Sequence, residues 1–249
     1  AAISFIDDVL TLNNKLRLSI HLLAVVMLFV QWDIFQQPYY ILLIAGVFVI
    51  GTINAYNFMD GINGITGSYS LLTILTLSYI NTYQVPFIDP DFLWIILLSL
   101  LVFCFFNFRN RAKCFAGDVV IIAIAFWVIY LVLKLILKTE SLLWLLFLSV
   151  YGVDAVCTIL HRLYLKQNIF EAHRLHLYQI LSNEYKIQHR LVSLLYALAQ
   201  AGISLVVIFL YQKVEDAIIF IIVIVPLLLL YSSKFYLLKK SNLRLNHGA

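Results

Sequence analysis

Three carboxylates in this chain have the type and setting that can bind a divalent cation. Asp7 and Asp8 are neighbours in FIDDVL, and Asp118 stands just before an apolar run that begins at Val119. Side chains of adjacent helical residues point about 100° apart, so the first pair can serve two partners, such as a metal ion and a phosphate. Capping a helix end is the alternative for these acids. These acids predict a metal site only in combination with the other polar motifs of the chain.

A polar, glycine-rich stretch at residues 54–67 reads NAYNFMDGINGITG and lies between two apolar segments. It carries Asn57, Asp60 and Asn63, whose amide and carboxylate groups can hydrogen-bond to a base or a ribose. Polar groups at a membrane boundary are costly unless they face water, protein or a ligand. The alternative is a helix end and turn in which Gly61 and Gly64 supply positive φ angles. That alternative leaves the acid and the amides unexplained, so we predict a binding site.

Residues 106–120, FNFRNRAKCFAGDVV, combine positive charge with an aromatic ring and an acid. Arg109, Arg111 and Lys113 would attract a phosphate or a lipid headgroup, although such a cluster is also an ordinary topology signal. Phe115 and Asp118 then stand about one helical turn apart at the start of the next apolar segment. For Asp118, a hard-cation ligand and a helix N-cap are both open interpretations.

A fourth polar region follows residue 160 and is rich in histidine and arginine. His173, Arg174 and His176 lie in EAHRLHLYQIL, for which an amphipathic interfacial helix is the alternative to a ligand-binding segment. No HExxH motif and no cysteine at a ligand spacing favours zinc. Asp154 precedes this region inside an apolar run, where an acid should be paired or functional. The three cysteines form no CxxC pair and are expected to be free thiols.

The composition indicates the setting in which these residues act. The chain has 249 residues, of which 63% are hydrophobic and 12% charged, and its mean hydropathy is +0.96. We therefore predict an all-α integral membrane protein that forms one domain over residues 1–249. Eight stretches approach the length that crosses a bilayer: residues 16–30, 39–56, 65–85, 92–107, 119–137, 142–160, 191–211 and 217–237. The chain opens on Ala1 within what resembles a helix end, so we expect an N-terminal truncation.

The distribution of Lys and Arg predicts the side of the membrane on which the polar regions lie. With eight crossings and a cytoplasmic first loop, three of the 17 basic residues, Lys134, Lys138 and Lys213, lie outside and the other 14 lie inside. The four polar regions then share the cytoplasmic face. We therefore predict that this face holds the chemistry, and we expect no nucleic-acid partner.

Together the four regions resemble, in order and spacing, the polyprenyl-phosphate N-acetylhexosamine-1-phosphate transferases, the WecA/MraY family or glycosyltransferase family 4. The motifs that carry the resemblance are Asp7-Asp8, NAYNFMDG from Asn54, Phe115-Ala-Gly-Asp118 and HRLHLYQ from His173. The HRxHxYQ form looks like the WecA-like branch, which serves O-antigen, capsule and enterobacterial-type polysaccharides. The resemblance implies transfer of a sugar-1-phosphate from a UDP-N-acetylamino sugar, such as UDP-GlcNAc, to undecaprenyl phosphate with release of UMP.

The resemblance also implies a role for each motif residue. Asp118, with Asp8, would bind Mg²⁺, for which Mn²⁺ is a substitute, and Asp7 or Asp8 would act as the base. The nucleoside would be held by residues of the second and third motifs: Asn57, Asp60, Asn63 and, stacked on uracil, Phe115. The diphosphate and sugar would be contacted by residues of the fourth motif: His173, Arg174 and His176.

The sequence departs from the family pattern at two motifs. Asn63 stands where the family usually has Asp, and Val120 and Ile121 stand where it usually has Gly-Ser. These departures favour one alternative, a non-catalytic or degenerate member that acts as a membrane scaffold. A secondary transporter is the other, although it would place polar residues near the bilayer midplane in paired repeats. The expected location is the bacterial inner (plasma) membrane among its lipids, with a homodimer as a candidate assembly.

Overall fold

The computed structural model describes residues 14–32, 34–36, 38–169, 171 and 173–247. This part of the chain is helical and contains no β-strand, as the hydropathy pattern predicts. It divides into two compact units, one of Ala1–Phe58 with Ala116–Ile129 and the other of Met59–Phe115 with Tyr130–Ala249. The predicted all-α fold is therefore confirmed.

Each of the eight predicted apolar stretches forms a helix. The long helices are α1 Asn14–Gln31, α2 Tyr39–Met59, α3 Ile65–Tyr83, α4 Pro90–Asn107, α5 Gly117–Thr139, α6 Ser149–Tyr164, α7 His189–Leu210 and α8 Asp216–His247. Two 3₁₀ segments, Ile34–Gln36 and Leu142–Leu148, precede α2 and α6, and a short helix at Leu177–Gln179 continues as a π-helix at Ile180–Glu184. The helix starts follow local chemistry: before α4, for example, the Asp89 carboxylate accepts a hydrogen bond from the Asp91 N–H at 3.0 Å, and Pro90 occupies the first turn.

The first unit contains α1, most of α2 and the N-terminal half of α5. Among the side chains that the structure describes, α1 and α2 bury few and expose many large apolar ones, such as Leu43 and Val47 of α2. That distribution is the reverse of a water-soluble helix and fits one that faces lipid. Buried positions of α2 include Ile53 and Tyr56, close to its C-terminal end.

The second unit has α3 at its centre, where the helix packs against α7 and α4. Gly67 allows the close approach of α4, because a Cβ at this position would lie 2.8 Å from Cys104 Sγ. On another side, the Tyr69 ring of α3 stacks on Tyr151 of α6 with 3.7 Å between ring centroids. α8 packs against α6. These contacts hold the polar segments that follow α2, α4 and α6.

Six helical stretches of the described chain are long and apolar enough to cross a membrane: Tyr39–Met59, Pro90–Asn107, Gly117–Thr139, Leu142–Tyr164, His189–Leu210 and Asp216–Lys240. The predicted number was eight, and the difference lies in α1 and α3. The apolar part of α1 is the shorter stretch Leu22–Gln31. α3 is rich in Ser and Thr, which bond back to the helix, as when Ser78 Oγ donates to the Ile74 carbonyl at 2.9 Å.

Candidate functional site

The predicted site residues divide between the two units. Asp7 and Asp8 lie outside the described residues. In the first unit, Asn57 lies in the last turn of α2 and Asp118 in the first turn of α5, and both are partly buried. α5 begins at Gly117, so Asp118 lies within the helix and not at the preceding N-cap position. The remaining predicted residues belong to the second unit.

The turn between α2 and α3 places Asp60 in a largely buried position. Burial raises the pKa of the Asp60 carboxyl above its usual range, and the Thr66 side chain offsets part of the increase. Gly64 has φ 86°, the left-handed value expected of a glycine that ends this turn. Gly61 does not need a positive φ but has no room for a side chain, since a Cβ there would overlap the Tyr178 hydroxyl. Tyr178 thus lies against the second motif.

Asn63 joins the polar stretch at residues 54–67 to the one at residues 106–120. Its side-chain NH₂ donates to the carbonyls of Arg109 at 3.1 Å and Asn110 at 3.3 Å. Next to it, the Gly64 N–H donates to Asn107 Oδ1 at 2.7 Å, and Asn107 Nδ2 donates to the Cys114 carbonyl at 2.8 Å. The amide at position 63 therefore has a structural use that a carboxylate lacks, because only an amide can donate to these carbonyls.

A cationic and aromatic surface lies around the C-terminal end of α4, the residues that follow it and the start of α7. Arg109 lies over the Phe105 ring, 4.6 Å from its centroid, and Arg190 lies over Phe108 at 5.5 Å. These contacts fix the guanidinium groups while leaving Arg190 exposed. Phe115 is 79% exposed, a setting suited to stacking on a planar ligand.

The segment after α6 is held at its start by Arg162, which is 3% exposed. Arg162 Nη1 donates to the carbonyls of Ile169 at 3.2 Å and Glu171 at 3.1 Å, and Nη2 donates to the carbonyl of Asn168. A guanidinium group carries five donors in a planar fork, which suits several backbone acceptors at once. Arg162 therefore fixes the backbone carbonyls that precede His173 in the chain.

The same segment is held at its far end by Asp154, which is 3% exposed. Asp154 Oδ1 lies 3.1 Å from His176 Nδ1 and accepts from the Leu177 N–H at 3.2 Å. Asp154 Oδ2 accepts from the Tyr196 hydroxyl at 2.6 Å. A buried carboxylate is stable when hydrogen bonds and a countercharge surround it, and these contacts supply the former.

Lys234 of α8 supplies a buried positive charge close to this carboxylate. Thr158 Oγ1 donates to Asp154 Oδ1 at 3.2 Å, and Lys234 Nζ donates to Thr158 Oγ1 at 3.1 Å and to the Tyr231 hydroxyl at 2.5 Å. Because the Thr158 proton is directed at Asp154, the 2.9 Å contact between Thr158 and Tyr231 has Tyr231 as its donor. We call Asp154, Thr158, His176, Tyr196, Tyr231 and Lys234 the Asp154 cluster.

The two histidines of the fourth motif differ in environment. His176 is buried, whereas His173 is partly exposed, and their ring centroids are 4.9 Å apart. Burial, with neighbouring His176 and Arg162, lowers the pKa of His173 to about 4, so its ring is neutral at pH 7. Burial together with the charges of Asp154 and Asp60 raises the pKa of Tyr178. Tyr178 therefore remains a phenol, able to donate a hydrogen bond.

The alternative of an amphipathic helix over the fourth motif is wrong, since residues 173–175 are irregular and helix starts at Leu177. The reason is that Arg162 and Asp154 bind backbone groups that a helix would use internally. Within the described chain all three cysteines are free, as predicted, and no group of three His, Cys, Asp or Glu side chains could hold a metal ion.

Sequence reasoning assigned no role to several residues that the structure brings into this region: Asn107, Tyr178, Tyr196 and Lys234. Lys234 was identifiable as a cation inside the apolar run of α8, a position that calls for a partner. Tyr196 had no such signal, because a tyrosine within an apolar helix is an ordinary core residue.

The sequence model described as Glycosyl transferase family 4 matches residues 1–136, more than half of the 249-residue chain. The matched stretch contains the first three motifs and ends within α5, so the fourth motif lies beyond it. No curated protein matches the chain.

Proposed function

The chain belongs to glycosyl transferase family 4, and we propose that it transfers a sugar-1-phosphate from a UDP-N-acetylamino sugar to undecaprenyl phosphate. UDP-GlcNAc or a close relative is the proposed donor, and the WecA-like branch is the proposed subfamily. The product would initiate lipid-linked polysaccharide synthesis at the cytoplasmic face of a bacterial inner membrane. The observation that carries the proposal is the family match, which covers three ordered polar motifs. It is joined by six helical stretches of the described chain that are long and apolar enough to cross a membrane.

The proposed reaction exchanges one phosphoanhydride for another. A phosphate oxygen of the lipid attacks the β-phosphorus of the UDP-sugar, and the bond from this phosphorus to the bridging oxygen breaks. UMP leaves with that oxygen, and the lipid carries a new pyrophosphate link to the sugar. Because both reactants are anions, repulsion is the main obstacle, and positive charge together with fixed hydrogen-bond donors lowers it.

Residues of the fourth motif have properties that suit the diphosphate. Arg174 is exposed and permanently charged, so it can form paired hydrogen bonds with phosphate oxygens. His176 is buried and lies 3.1 Å from the Asp154 carboxylate, so its proposed part is to hold the segment that carries His173 and Arg174. His173, whose pKa is about 4, would meet the substrate as a neutral ring and hydrogen-bond to the sugar.

Residues of the second and third motifs suit the nucleoside. Asn57 and Asp60 offer amide and carboxylate groups to the uridine, and Phe115 offers an exposed ring for the uracil. Asn63 shapes this region through the carbonyls of Arg109 and Asn110, so we propose that its part in uridine binding depends on the loop that it holds.

We propose that Mg²⁺ binds beside Asp118. The ion accepts carboxylate oxygens and takes one or two of them from protein, completing its shell with water and substrate phosphates. Asp118, a partly buried carboxylate in the first turn of α5, fits that requirement, and Asp8 is its proposed companion. When bound, Mg²⁺ would neutralise charge on the phosphates. Asp7 or Asp8 is the proposed base that keeps the lipid phosphate deprotonated.

A transfer assay with purified full chain tests the proposal. The protein would receive a panel of sugar-labelled UDP-sugars, undecaprenyl phosphate and Mg²⁺, with the Asp118→Asn and Asp8→Asn variants in parallel. Labelled lipid with stoichiometric UMP, lost in both variants, is the expected result. A matched control is Gln200→Leu, which alters a buried polar residue of α7 distant in sequence from every motif and should retain activity per folded molecule.

Two outcomes would contradict the proposal. Folded protein that makes no lipid product from any donor would favour a scaffold. Uptake of a substrate into vesicles without UMP release would favour a transporter.

A further inference from the structure

Arg190 is an exposed cation in the first turn of α7, and the proposed function gives it no role. Its guanidinium carbon lies 5.5 Å from the centroid of the Phe108 ring, and its Nη1 lies 3.5 Å from Asn110 Oδ1. An aromatic face and an amide oxygen restrict a side chain that would otherwise sample many rotamers. Among the residues that the structure describes, no carboxylate forms an ion pair with Arg190.

The ring beneath Arg190 is placed by the turn between α2 and α3. Gly64 of this turn makes room for Phe108, because a Cβ at position 64 would overlap the ring. The Gly64 N–H also donates to Asn107 Oδ1 at 2.7 Å, and Asn107 immediately precedes Phe108. The turn therefore fixes both the ring and the backbone that carries it.

The start of α7 is tied to the same turn. Ser193 Oγ, one helical turn after Arg190, donates to the Asn63 carbonyl at 2.9 Å. The Asn63 N–H donates to His189 Nδ1 at 3.5 Å, and the Asn63 side chain donates to the Asn110 carbonyl at 3.3 Å. Arg190 thus extends from a helix that is joined to Asn63 on one side and lies beside Asn110 on the other.

This position suits a phosphate ligand. The polar stretch at residues 54–67 includes Asp60, which is proposed to hold the uridine. A nucleotide carries its phosphates on its ribose, so a fixed cation beside that stretch lies close to where the phosphates of a bound nucleotide extend. A guanidinium group can donate two parallel hydrogen bonds to phosphate oxygens, and its charge strengthens both.

We propose that Arg190 binds the diphosphate of the UDP-sugar donor. This inference rests on the proposed function for the identity of the donor. Arg190 adds a cation from α7 to Arg174 of the fourth motif, so the two residues contact the diphosphate from different elements. An anionic lipid headgroup presents the same phosphate chemistry, and binding is therefore measured with and without such a lipid.

Calorimetric binding of UDP with Mg²⁺ to the purified full chain in a neutral detergent tests the proposal. Arg190→Gln should raise the Kd for UDP on the order of tenfold, because the phosphates lose a charged donor. Arg190→Lys keeps the charge without the planar fork and should give an intermediate Kd. Uridine, which has no phosphate, should compete for the site equally well in the wild type and in Arg190→Gln. An unchanged Kd for UDP in Arg190→Gln, or an equal loss for uridine, would overturn the proposal.

Lys186→Gln is the matched control. Lys186 is an exposed cation four residues before Arg190, so this variant removes the same charge from the same part of the chain. The Kd for UDP should stay within about twofold of wild type, since a solvated charge is screened by salt. Equal weakening in Lys186→Gln and Arg190→Gln would mean a general electrostatic effect and would overturn the proposal.

Two other roles of Arg190 have distinct signatures. A lipid-headgroup site would give a defect in nanodiscs that contain phosphatidylglycerol and an unchanged Kd for UDP in nanodiscs of phosphatidylcholine alone. A purely structural role would lower the midpoint of thermal unfolding and leave the Kd of the folded protein unchanged. Either result would overturn the proposal, which expects the weaker UDP binding in both lipids.

Kinetics separates this inference from the proposed function. In Arg190→Gln the KM for the UDP-sugar should rise on the order of tenfold while kcat stays within about threefold, the pattern of a group that binds substrate and transition state alike. Arg190-dependent UDP binding without any lipid product would contradict the proposed function and leave this inference standing. Sugar-phosphate transfer with an unchanged KM in Arg190→Gln would overturn the inference and leave the proposed function standing.

Discussion

Two buried polar clusters in the second unit invite comparison, because both connect α7 to its neighbours inside the apolar core. In the first, Gln200 Oε1 accepts from the Tyr69 hydroxyl at 2.8 Å and from the Val150 N–H at 3.1 Å. Its Nε2 donates to the Leu146 carbonyl at 2.9 Å and to Ser204 Oγ at 3.4 Å. This Gln200 cluster is neutral and contacts helices alone.

The Asp154 cluster also connects helices, but it contains charged groups and includes His176, which lies outside the long helices. It contains an acid, a histidine and a buried lysine, and one of its members belongs to the irregular fourth motif. A neutral amide satisfies a helix contact at smaller desolvation cost than an acid and an ammonium group. In this core, the buried charged groups therefore lie where helices contact a polar motif, and the neutral amide lies where helices contact one another.

Replacing the central residue of each cluster, Asp154 or Gln200, by alanine should give the largest difference in activity between the two clusters. Asp154→Ala leaves Lys234 buried without its countercharge, so the free energy of unfolding should fall by about 3–5 kcal/mol and activity on the order of 100-fold. Gln200→Ala should cost a similar or smaller amount of stability, with activity per folded molecule close to wild type. Thermal unfolding and specific activity on the same samples measure both. Equal loss of specific activity in the two variants would remove the distinction.

A second prediction concerns the tight contact beside the Asp154 cluster. Gly61→Ala should destabilise the protein by about 1–3 kcal/mol, because the new methyl group would overlap the Tyr178 hydroxyl. Adding Tyr178→Phe should recover part of that loss. Gly152→Ala in α6 is the matched control, since its Cβ meets no atom within 4 Å. It should be neutral or stabilise by up to about 1 kcal/mol. Equal losses of stability in Gly61→Ala and Gly152→Ala, measured by thermal unfolding, would contradict the close contact between Gly61 and Tyr178.

A third prediction concerns the segment between α6 and the fourth motif, whose backbone carbonyls accept hydrogen bonds from Arg162. Arg162→Lys keeps the charge but cannot reach three backbone carbonyls in one plane. Hydrogen exchange should therefore rise roughly tenfold at the Gln167 and Glu171 amides, which corresponds to a decrease of about 1.4 kcal/mol in the free energy of opening. Gln200→Leu should leave exchange in this segment unchanged. Unaltered protection in Arg162→Lys would show that the segment is held by other contacts.

The smallest expected effect is the titration of His173. Because its pKa is lowered to about 4, the ring should stay neutral from pH 8 to pH 5.5 in an NMR titration. The unfolded chain takes up this proton near pH 6.5, so His173 favours folding above that pH and loses its contribution as pH falls from 6.5 toward 4. A midpoint near 6.5 in the folded protein would contradict the burial of this ring.

Hydropathy predicted the helices well, since apolar runs of about 20 residues leave the backbone few other options in a membrane. It overestimated the crossings because the apolar part of α1 is short and because α3 carries hydroxyl side chains along its length. The motif residues were found by type and spacing. Their supports were not, because Asp154 meets His176 across 22 positions and Lys234 meets Thr158 across 76. Such pairs depend on how helices pack, which one sequence does not reveal.

The position of the β-phosphate after turnover tests the proposed activity most directly. UDP-GlcNAc or another accepted donor would carry ³²P at the β-phosphate, with undecaprenyl phosphate as acceptor. Transfer of a sugar-1-phosphate moves the label into the lipid fraction and releases unlabelled UMP, and this is the predicted result. Label that remains in released UDP while the sugar enters the lipid would mean simple glycosyl transfer and would contradict the proposal.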